Sequence, residues 1–150
     1  LNKRLNRNND VGTTRRTTDI FQLATTVLFQ NPVQNFALAP NNLKDVSPVC
    51  MDYMKTIPTT WDETCFIDGY PGKYVVLARR HGGTWYVAAI NAGKETLKLK
   101  LDLEMFAGKT VSLYKDDKKG APQLVPLKVK ENGKVQLEIL PQGGAVLVNK

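Results

Sequence analysis

The periodicity of the apolar residues changes near residue 60, and this change constrains the fold more than any other feature of the chain. Before it, Ile20, Leu23, Ala24, Val27 and Leu28 recur at helical offsets and form the stripe of a buried helix face. Thr17, Thr18 and Asp19 stand just ahead of that stripe, and each is a residue type that caps a helix start. Asn31-Pro32 turns the backbone away from helix, so this helix should end near Gln30. Ser47-Pro48 places an N-cap residue before a proline at the first helical position. A second helix should run from there to about Thr56, burying Cys50, Met51, Tyr53 and Met54, and Pro58 should stop it. Phe21 and Phe29 widen the apolar side of the first helix beyond one stripe. The first sixty residues hold too few partners for it, so these helices read as pieces of something larger.

From Thr60 onward the apolar residues follow a period of two. Lys73–Arg80 and Gly83–Ala92 read as strands around a His81-Gly82-Gly83 turn. In 95–102, Leu97, Leu99 and Leu101 alternate with Lys98 and Lys100, so the leucines face inward and the lysines face water. Lys109–Lys115 is a further strand. Gln123–Lys130 and Lys134–Leu140 flank Glu131-Asn132-Gly133 and read as a second hairpin, and Ala145–Asn149 closes the chain. Strands at this spacing, joined by Gly, Asn and Pro, indicate an antiparallel sandwich or barrel. Such a domain should fold without the helices, its strands pairing mostly with near neighbours.

Composition excludes several function classes. Hydrophobic residues make up 42% of the chain and charged residues 23%, which is ordinary globular usage. No apolar run approaches the ~20 residues that span a bilayer, so no membrane partner is expected. The net charge of +7 would suit nucleic acid. Most of that excess, however, sits in the first sixteen residues, where Lys3, Arg4, Arg7, Arg15 and Arg16 outnumber Asp10. An Asn-rich basic stretch of this kind reads as a loose, solvated segment, so no nucleic-acid partner is expected. Cys50 and Cys65 fit no metal-binding spacing and read as two thiols or as one bridge.

Candidate chemistry is sparse. His81, the single histidine, sits in a predicted turn between strands and is no part of a triad. Asp116-Asp117 reads as a solvated loop before Lys118-Lys119-Gly120. One cluster stands out, Thr59-Thr60-Trp61-Asp62-Glu63-Thr64, with an aromatic ring, two carboxylates and hydroxyls at the junction of the two halves. Rings that pack on C–H faces and acids that accept from hydroxyls are what sugar recognition uses. The plainer alternative is that Trp61 plugs the seam between helices and strands while Asp62 caps a turn. If the cluster is a strand, consecutive Asp62 and Glu63 point to opposite faces.

Three separated stretches resemble glycoside hydrolase family 97. Ile57-Pro-Thr-Thr-Trp-Asp-Glu-Thr64 resembles its junction motif. So does Gly69-Tyr-Pro-Gly-Lys-Tyr-Val-Val-Leu-Ala-Arg-Arg80, followed by Gly83-Thr-Trp-Tyr-Val87 and Asn91. Thr18-Asp-Ile-Phe-Gln-Leu-Ala24 through Asn31-Pro-Val-Gln34 is similar to a late barrel helix and the stretch after it. The chain departs from the family at Phe36–Pro40, which is apolar where many members carry an acid.

The resemblance implies a larger parent with an N-terminal sandwich, a (β/α)8 barrel and a C-terminal sandwich. Residues 1–62 would then be the terminal helices and last strand of the barrel, and residues 63–150 a mainly β, antiparallel C-terminal β-sandwich. The implied activity is hydrolysis of α-glucosidic or α-galactosidic bonds of an oligo- or polysaccharide. A Ca2+ ion in the parent and a periplasmic or secreted location are implied as well. No catalytic acid and no metal ligand falls on this chain, which would cover and stabilise the upstream barrel. Trp61, Asp62 and Glu63, at the end of a last barrel strand, would be its substrate-proximal residues in the intact parent.

A competing reading is a stand-alone structural or glycan-binding sandwich, with Tyr70, Tyr74, Trp85, Tyr86 or Tyr114 forming a platform. Apart from a barrel, Ile20, Leu23, Val27 and Phe36 should lie exposed and drive self-association.

Overall fold

The computed structural model describes residues 15–36, 38, 40 and 43–149. The loose segment expected at the start therefore lies, up to residue 14, outside the described residues. Two helices, α1 (Asp19–Leu28) and α2 (Pro48–Thr56), precede eight strands: β1 (Glu63–Tyr70), β2 (Tyr74–His81), β3 (Thr84–Asn91), β4 (Leu97–Asp102), β5 (Thr110–Asp116), β6 (Pro122–Lys128), β7 (Lys134–Ile139) and β8 (Gly144–Val148).

The start of α1 is held by a capping side chain, whereas the expected Ser47 cap of α2 makes no side-chain hydrogen bond and that helix starts at its proline. The Thr18 hydroxyl accepts from Phe21 N–H at 3.1 Å, and Asp19 occupies the first turn, where the helix dipole favours an acid. Ser47 precedes α2 with Pro48 at its first position. Cys50 and Tyr53 are buried on α2, whereas Met51 and Met54 are only partly covered.

Six strands form one sheet in the order β1-β2-β3-β8-β5-β6, and β4 and β7 form a second, two-stranded sheet. All pairings are antiparallel. The mainly β, antiparallel class expected from the sequence is therefore observed. The pairing pattern is less local than expected. The last strand, β8, inserts at the centre between β3 and β5 and is buried along its length. The expected hairpin across Asn132-Gly133 does not form. The turn is made, with Gly133 N–H donating to Lys130 O at 2.9 Å, but β6 then pairs with β5 and β7 pairs with β4 in the other sheet. A tight turn bends the chain back; it does not choose which strand the returning segment pairs with.

The large sheet is covered on both faces. On one face Val76, Ala78, Val87, Ala89, Val111, Leu113, Ala145 and Leu147 pack against Leu99, Leu101, Val135, Leu137 and Ile139 of β4 and β7. On the other, Tyr86, Ala88, Tyr114, Val146 and Val148 pack under Ile20, Leu23, Ala24 and Val27 of α1 and Cys50 and Tyr53 of α2. The expectation that Ile20, Leu23 and Val27 lie exposed is thus corrected: all three are 0% exposed. The chain's own sheet covers them, because β3 and β8 turn alternate side chains toward the helices. Gly144 permits the contact. A Cβ there would stand 2.8 Å from Phe21 Cα and 2.9 Å from the Ile20 carbonyl carbon, so only glycine lets the helix backbone lie on β8.

Candidate functional site

Residues 59–62 form no strand. They run irregularly from α2 into β1, with Asp62 N–H donating to Arg80 O at 2.8 Å, so they extend the edge of the sandwich sheet. Within the described residues this stretch is no strand of its own.

The opposite-face expectation for Asp62 and Glu63 therefore does not apply. Alternation holds only within a strand, and only Glu63 belongs to one. Both carboxylates converge on one guanidinium. Arg80 Nη1 lies 3.5 Å from Asp62 Oδ2, and Arg80 Nε lies 3.2 Å from Glu63 Oε2. Asp62 Oδ2 also accepts from Gly82 N–H at 2.7 Å, and Arg80 Nη1 donates to Gly82 O at 2.9 Å. Gly82 sits at φ +57° in the β2–β3 turn, a conformation other residues resist. His81, exposed as the last residue of β2, places Nδ1 2.9 Å from Thr60 O. Asp62 thus caps a turn, as the plainer reading held, and the charges and the histidine tie that turn to the segment entering β1.

Trp61 is half-buried at the seam between α1 and the sheet. Its ring meets Tyr86 edge-on, with centroids 5.3 Å apart, and the Arg79 guanidinium lies 5.7 Å from its centre. Arg79 is 2% exposed and donates from Nη1 to Phe29 O at 2.9 Å, placing a cation at the C-terminal end of α1 where the helix dipole is negative. Burial pulls its pKa below the usual arginine value. Trp61, Asp62, Glu63, Arg79, Arg80 and His81 therefore form one cluster. Its carboxylates are engaged with a cation, and this arrangement clamps backbone rather than supplying an acid and a base.

A second polar centre was missed by the solvated-loop reading of Asp116. It is the last residue of β5, buried at 7% exposure beneath the start of α1. Its Oδ2 accepts from the Thr18 hydroxyl at 2.9 Å and from Gly144 N–H at 3.1 Å. Burial pushes its pKa up to about 6, and nearby Asp19 adds to the rise while the hydrogen bonds oppose it. Thr18 thus caps the helix with one hydroxyl and binds the sheet through the same atom. The strand pattern of 109–115 hinted at this carboxylate; its helix partner lies 98 positions away and left no local signal.

Cys50 and Cys65 are both free. Burial raises the pKa of the buried Cys50 to about 11, and Cys65 lies 3.6 Å from Glu63 Oε1. Tyr86 and Tyr114 are buried beneath the helices, which leaves Tyr70 as the exposed ring among the candidates and Tyr74 and Trp85 partly covered. Among the described residues, no three His, Cys, Asp or Glu side chains come together as a candidate metal-binding group. No helix among them is long and apolar enough to cross a membrane.

With this geometry in view, comparison with known proteins decides the family. The model for "Glycosyl-hydrolase 97 C-terminal, oligomerisation" matches residues 60–149. The chain belongs to glycoside hydrolase family 97. A retaining α-galactosidase of Bacteroides thetaiotaomicron is 31% identical over 133 residues, which are 84% of this chain and 20% of that protein. The crystal structure of a β-arabinopyranosidase is 82% identical, with a TM-score of 0.94 over 99% of this chain and 24% of that one. A family 97 enzyme from Pseudoalteromonas sp. strain K8, solved with acarbose, aligns with a TM-score of 0.77 at 23% identity, over 91% of this chain and 23% of that one, and shows the shared fold. This family 97 chain thus spans about a quarter or less of these three proteins.

Proposed function

We propose that this chain is the C-terminal module of a family 97 hydrolase that cleaves galacto-configured pyranosides, namely α-galactosides and β-arabinopyranosides. The observation that carries this reading is the 82% identity to a β-arabinopyranosidase over 99% of the chain. The relative named as a retaining α-galactosidase supports the same substrate class. A β-L-arabinopyranoside and an α-D-galactopyranoside share ring configuration from C1 to C4 and differ in the hydroxymethyl group on C5. One pocket can therefore accept both, with discrimination resting on contacts to that group. α-Glucosides, with the opposite configuration at C4, are the weaker substrates in this reading.

The module's role is to cover and stabilise the upstream barrel, with no catalytic acid of its own. Glycoside hydrolysis needs two carboxyl groups about 5–10 Å apart across the scissile bond. Asp62 and Glu63 share Arg80 instead. The catalytic acids, and any Ca2+, are then held by the upstream chain. Substrate proximity of Trp61, Asp62 and Glu63 in the intact parent belongs to the same proposal, supported by the exposure of both carboxylates beside a half-buried ring. So does self-association of the module, which the family description supports.

Hydrolysis of 4-nitrophenyl glycosides tests this reading. The 150-residue chain should release no nitrophenol above buffer between about pH 4 and 9, a window in which acid–base pairs of this kind work. The full-length parent should turn over β-L-arabinopyranoside and α-D-galactopyranoside faster than α-D-glucopyranoside. A parent that prefers the glucoside overturns the substrate class. Asp62→Asn or Glu63→Gln in the parent should raise KM if the junction lies near the substrate, and leave it unchanged if it does not.

A further inference from the structure

Thr18 fastens α1 to the sheet, and each of its polar atoms is spent on that contact. Its N–H donates to Gln142 O at 3.1 Å, and its carbonyl accepts from Arg15 Nη1 at 2.8 Å. Its hydroxyl donates to Asp116 Oδ2 at 2.9 Å while accepting from Phe21 N–H. The turn between β7 and β8 is shaped around the same carboxylate. Gln142 holds φ +53°, the one non-glycine in the left-handed region among the described residues. A Cβ on Gly143 would stand 2.7 Å from Asp116 Oδ2. The charges here do not balance. Arg15, from the segment entering α1, pairs with Asp19 in the first turn. Cys50 faces the site from α2, and burial raises its pKa to about 11, so it stays a neutral thiol. Asp117, next along the chain, is exposed and accepts instead from Lys119 and Ala121 N–H. Lys115, on the other side, points to the opposite face of β5. Among the described residues, two carboxyl groups therefore stand against the single guanidinium of Arg15.

The two oxygens of Asp116 are also unequal. Oδ2 accepts from the Thr18 hydroxyl and from Gly144 N–H, whereas Oδ1 is buried with no donor among the described residues. Ionisation leaves half of the charge on that unsupported oxygen, which burial penalises. A proton on Oδ1 removes the charge and leaves both bonds to Oδ2 in place. We propose that Asp116 and Thr18 form a proton-operated latch on α1, closed when Asp116 Oδ1 carries a proton taken from solvent and loosened when that proton returns to solvent. The raised pKa of Asp116, about 6, agrees with this, since burial outweighs the hydrogen bonds that favour the anion. A pKa raised by folding gives stability below the unfolded value that is lost as the pH rises through the folded one, so acid fastens the start of α1 and neutral pH loosens it. The histidine lies elsewhere: His81 pairs with Thr84 at one end of β3, and Gly144, beside Asp116, pairs with Ile90 at the other.

Amide hydrogen exchange of the 150-residue chain, followed by NMR and expressed as protection factors, tests this. Protection of Gln22, Leu23 and Ala24 should fall about tenfold between about pH 5 and 7. That is the change expected of a carboxyl group that titrates at about 6 in the closed latch and at 3.8 once opened to water. The carboxyl-carbon NMR resonance of Asp116 should titrate over the same range. Asp116→Asn keeps an acceptor for Thr18 and Gly144 but cannot ionise, and should give a flat profile. Thr18→Val should lower protection in acid about fivefold by removing the cap, and Thr18→Ser, which keeps the hydroxyl, should restore it. A flat wild-type profile, or an Asp116 resonance that titrates at the ordinary carboxyl value, overturns the proposal whether or not the variants fold. A fall that persists in Asp116→Asn overturns it as well. So does equal protection of the α1 amides and those of Leu99 and Leu137, because the helix start would then open only with the whole fold.

Discussion

The two faces of the six-stranded sheet are built differently. The face toward β4 and β7 is mainly aliphatic, with Phe106 its one fully buried ring, and every residue in it comes from the part of the chain after residue 63. The face toward α1 and α2 mixes rings with buried polar groups. Tyr53 meets Tyr114 edge-on at 5.0 Å, its hydroxyl lies 3.0 Å from the Thr26 hydroxyl, and Arg79 and Asp116 hold opposite ends of α1. An aliphatic face stabilises by area alone and tolerates many arrangements. A face with buried donors and acceptors is stable only when each finds its partner, so it specifies one docking pose for the helices. The first face is the core of the family 97 C-terminal sandwich. The second joins that sandwich to what precedes it.

The largest test separates the faces outright. Residues 64–150 alone should lose the cooperative thermal transition of the whole chain. Removing the helices uncovers Tyr86, Tyr114, Val146 and Val148, each worth about 1.5–3 kcal/mol when large and fully buried. That total rivals the whole stability of a small domain, about 5–15 kcal/mol. Calorimetry showing equal transitions for both forms would mean the helix face adds little. It would also bear out the expectation that the strands suffice.

On the aliphatic face, Leu99→Asp should cost about 4 kcal/mol or more, because an unpaired carboxylate would be buried. Leu99 is 6% exposed there. Lys98→Asp should cost about 1 kcal/mol or less. Lys98 is exposed and loses only its surface pairing with Glu138 at 3.4 Å. Similar melting temperatures for the two variants would mean the β4 register is shifted by one residue.

On the helix face, Gly144→Ala should cost about 1–3 kcal/mol, because its methyl group meets helix backbone that cannot swing aside. Gly83→Ala, with nothing within 4 Å of the new carbon, should stay within about 0.5 kcal/mol. Urea denaturation midpoints of the two variants measure the difference.

The smallest effect is a slope in pH. Asp116 has its folded pKa raised to about 6 from 3.8, so the folded state binds more protons between those values. Its contribution to stability is fully present below the lower value and is lost as the pH rises through about 6. Melting temperature should therefore carry a component that falls between about pH 4 and 6, superimposed on the other carboxylates. Asp116→Asn should remove that component, and an unchanged profile would show that Asp116 does not titrate in this window.

Helix starts, the alternation of β4 and the turn glycines were legible because each depends on residues within a few positions. Thr18, Pro48, Leu99 and Gly82 act on their immediate neighbours, and their types state what the backbone must do. The junction was half legible. Trp61, Asp62 and Glu63 stood out as a group, and Asp62 as a turn cap could be read. The convergence of Asp62 and Glu63 on Arg80 could not, because that residue lies 17 and 18 positions away on another strand. Tertiary structure alone decided that β8 sits at the centre of the sheet, that β7 leaves β6 for β4, and that α1 covers the sheet instead of standing exposed. Sequence periodicity records that a face must be buried, since that requirement is paid residue by residue. It carries no record of what covers the face, because any apolar surface of matching shape lowers the free energy about as well. The choice among partners falls to the few groups that admit one answer, such as the missing Cβ of Gly144 and the Asp116 carboxylate beneath Thr18.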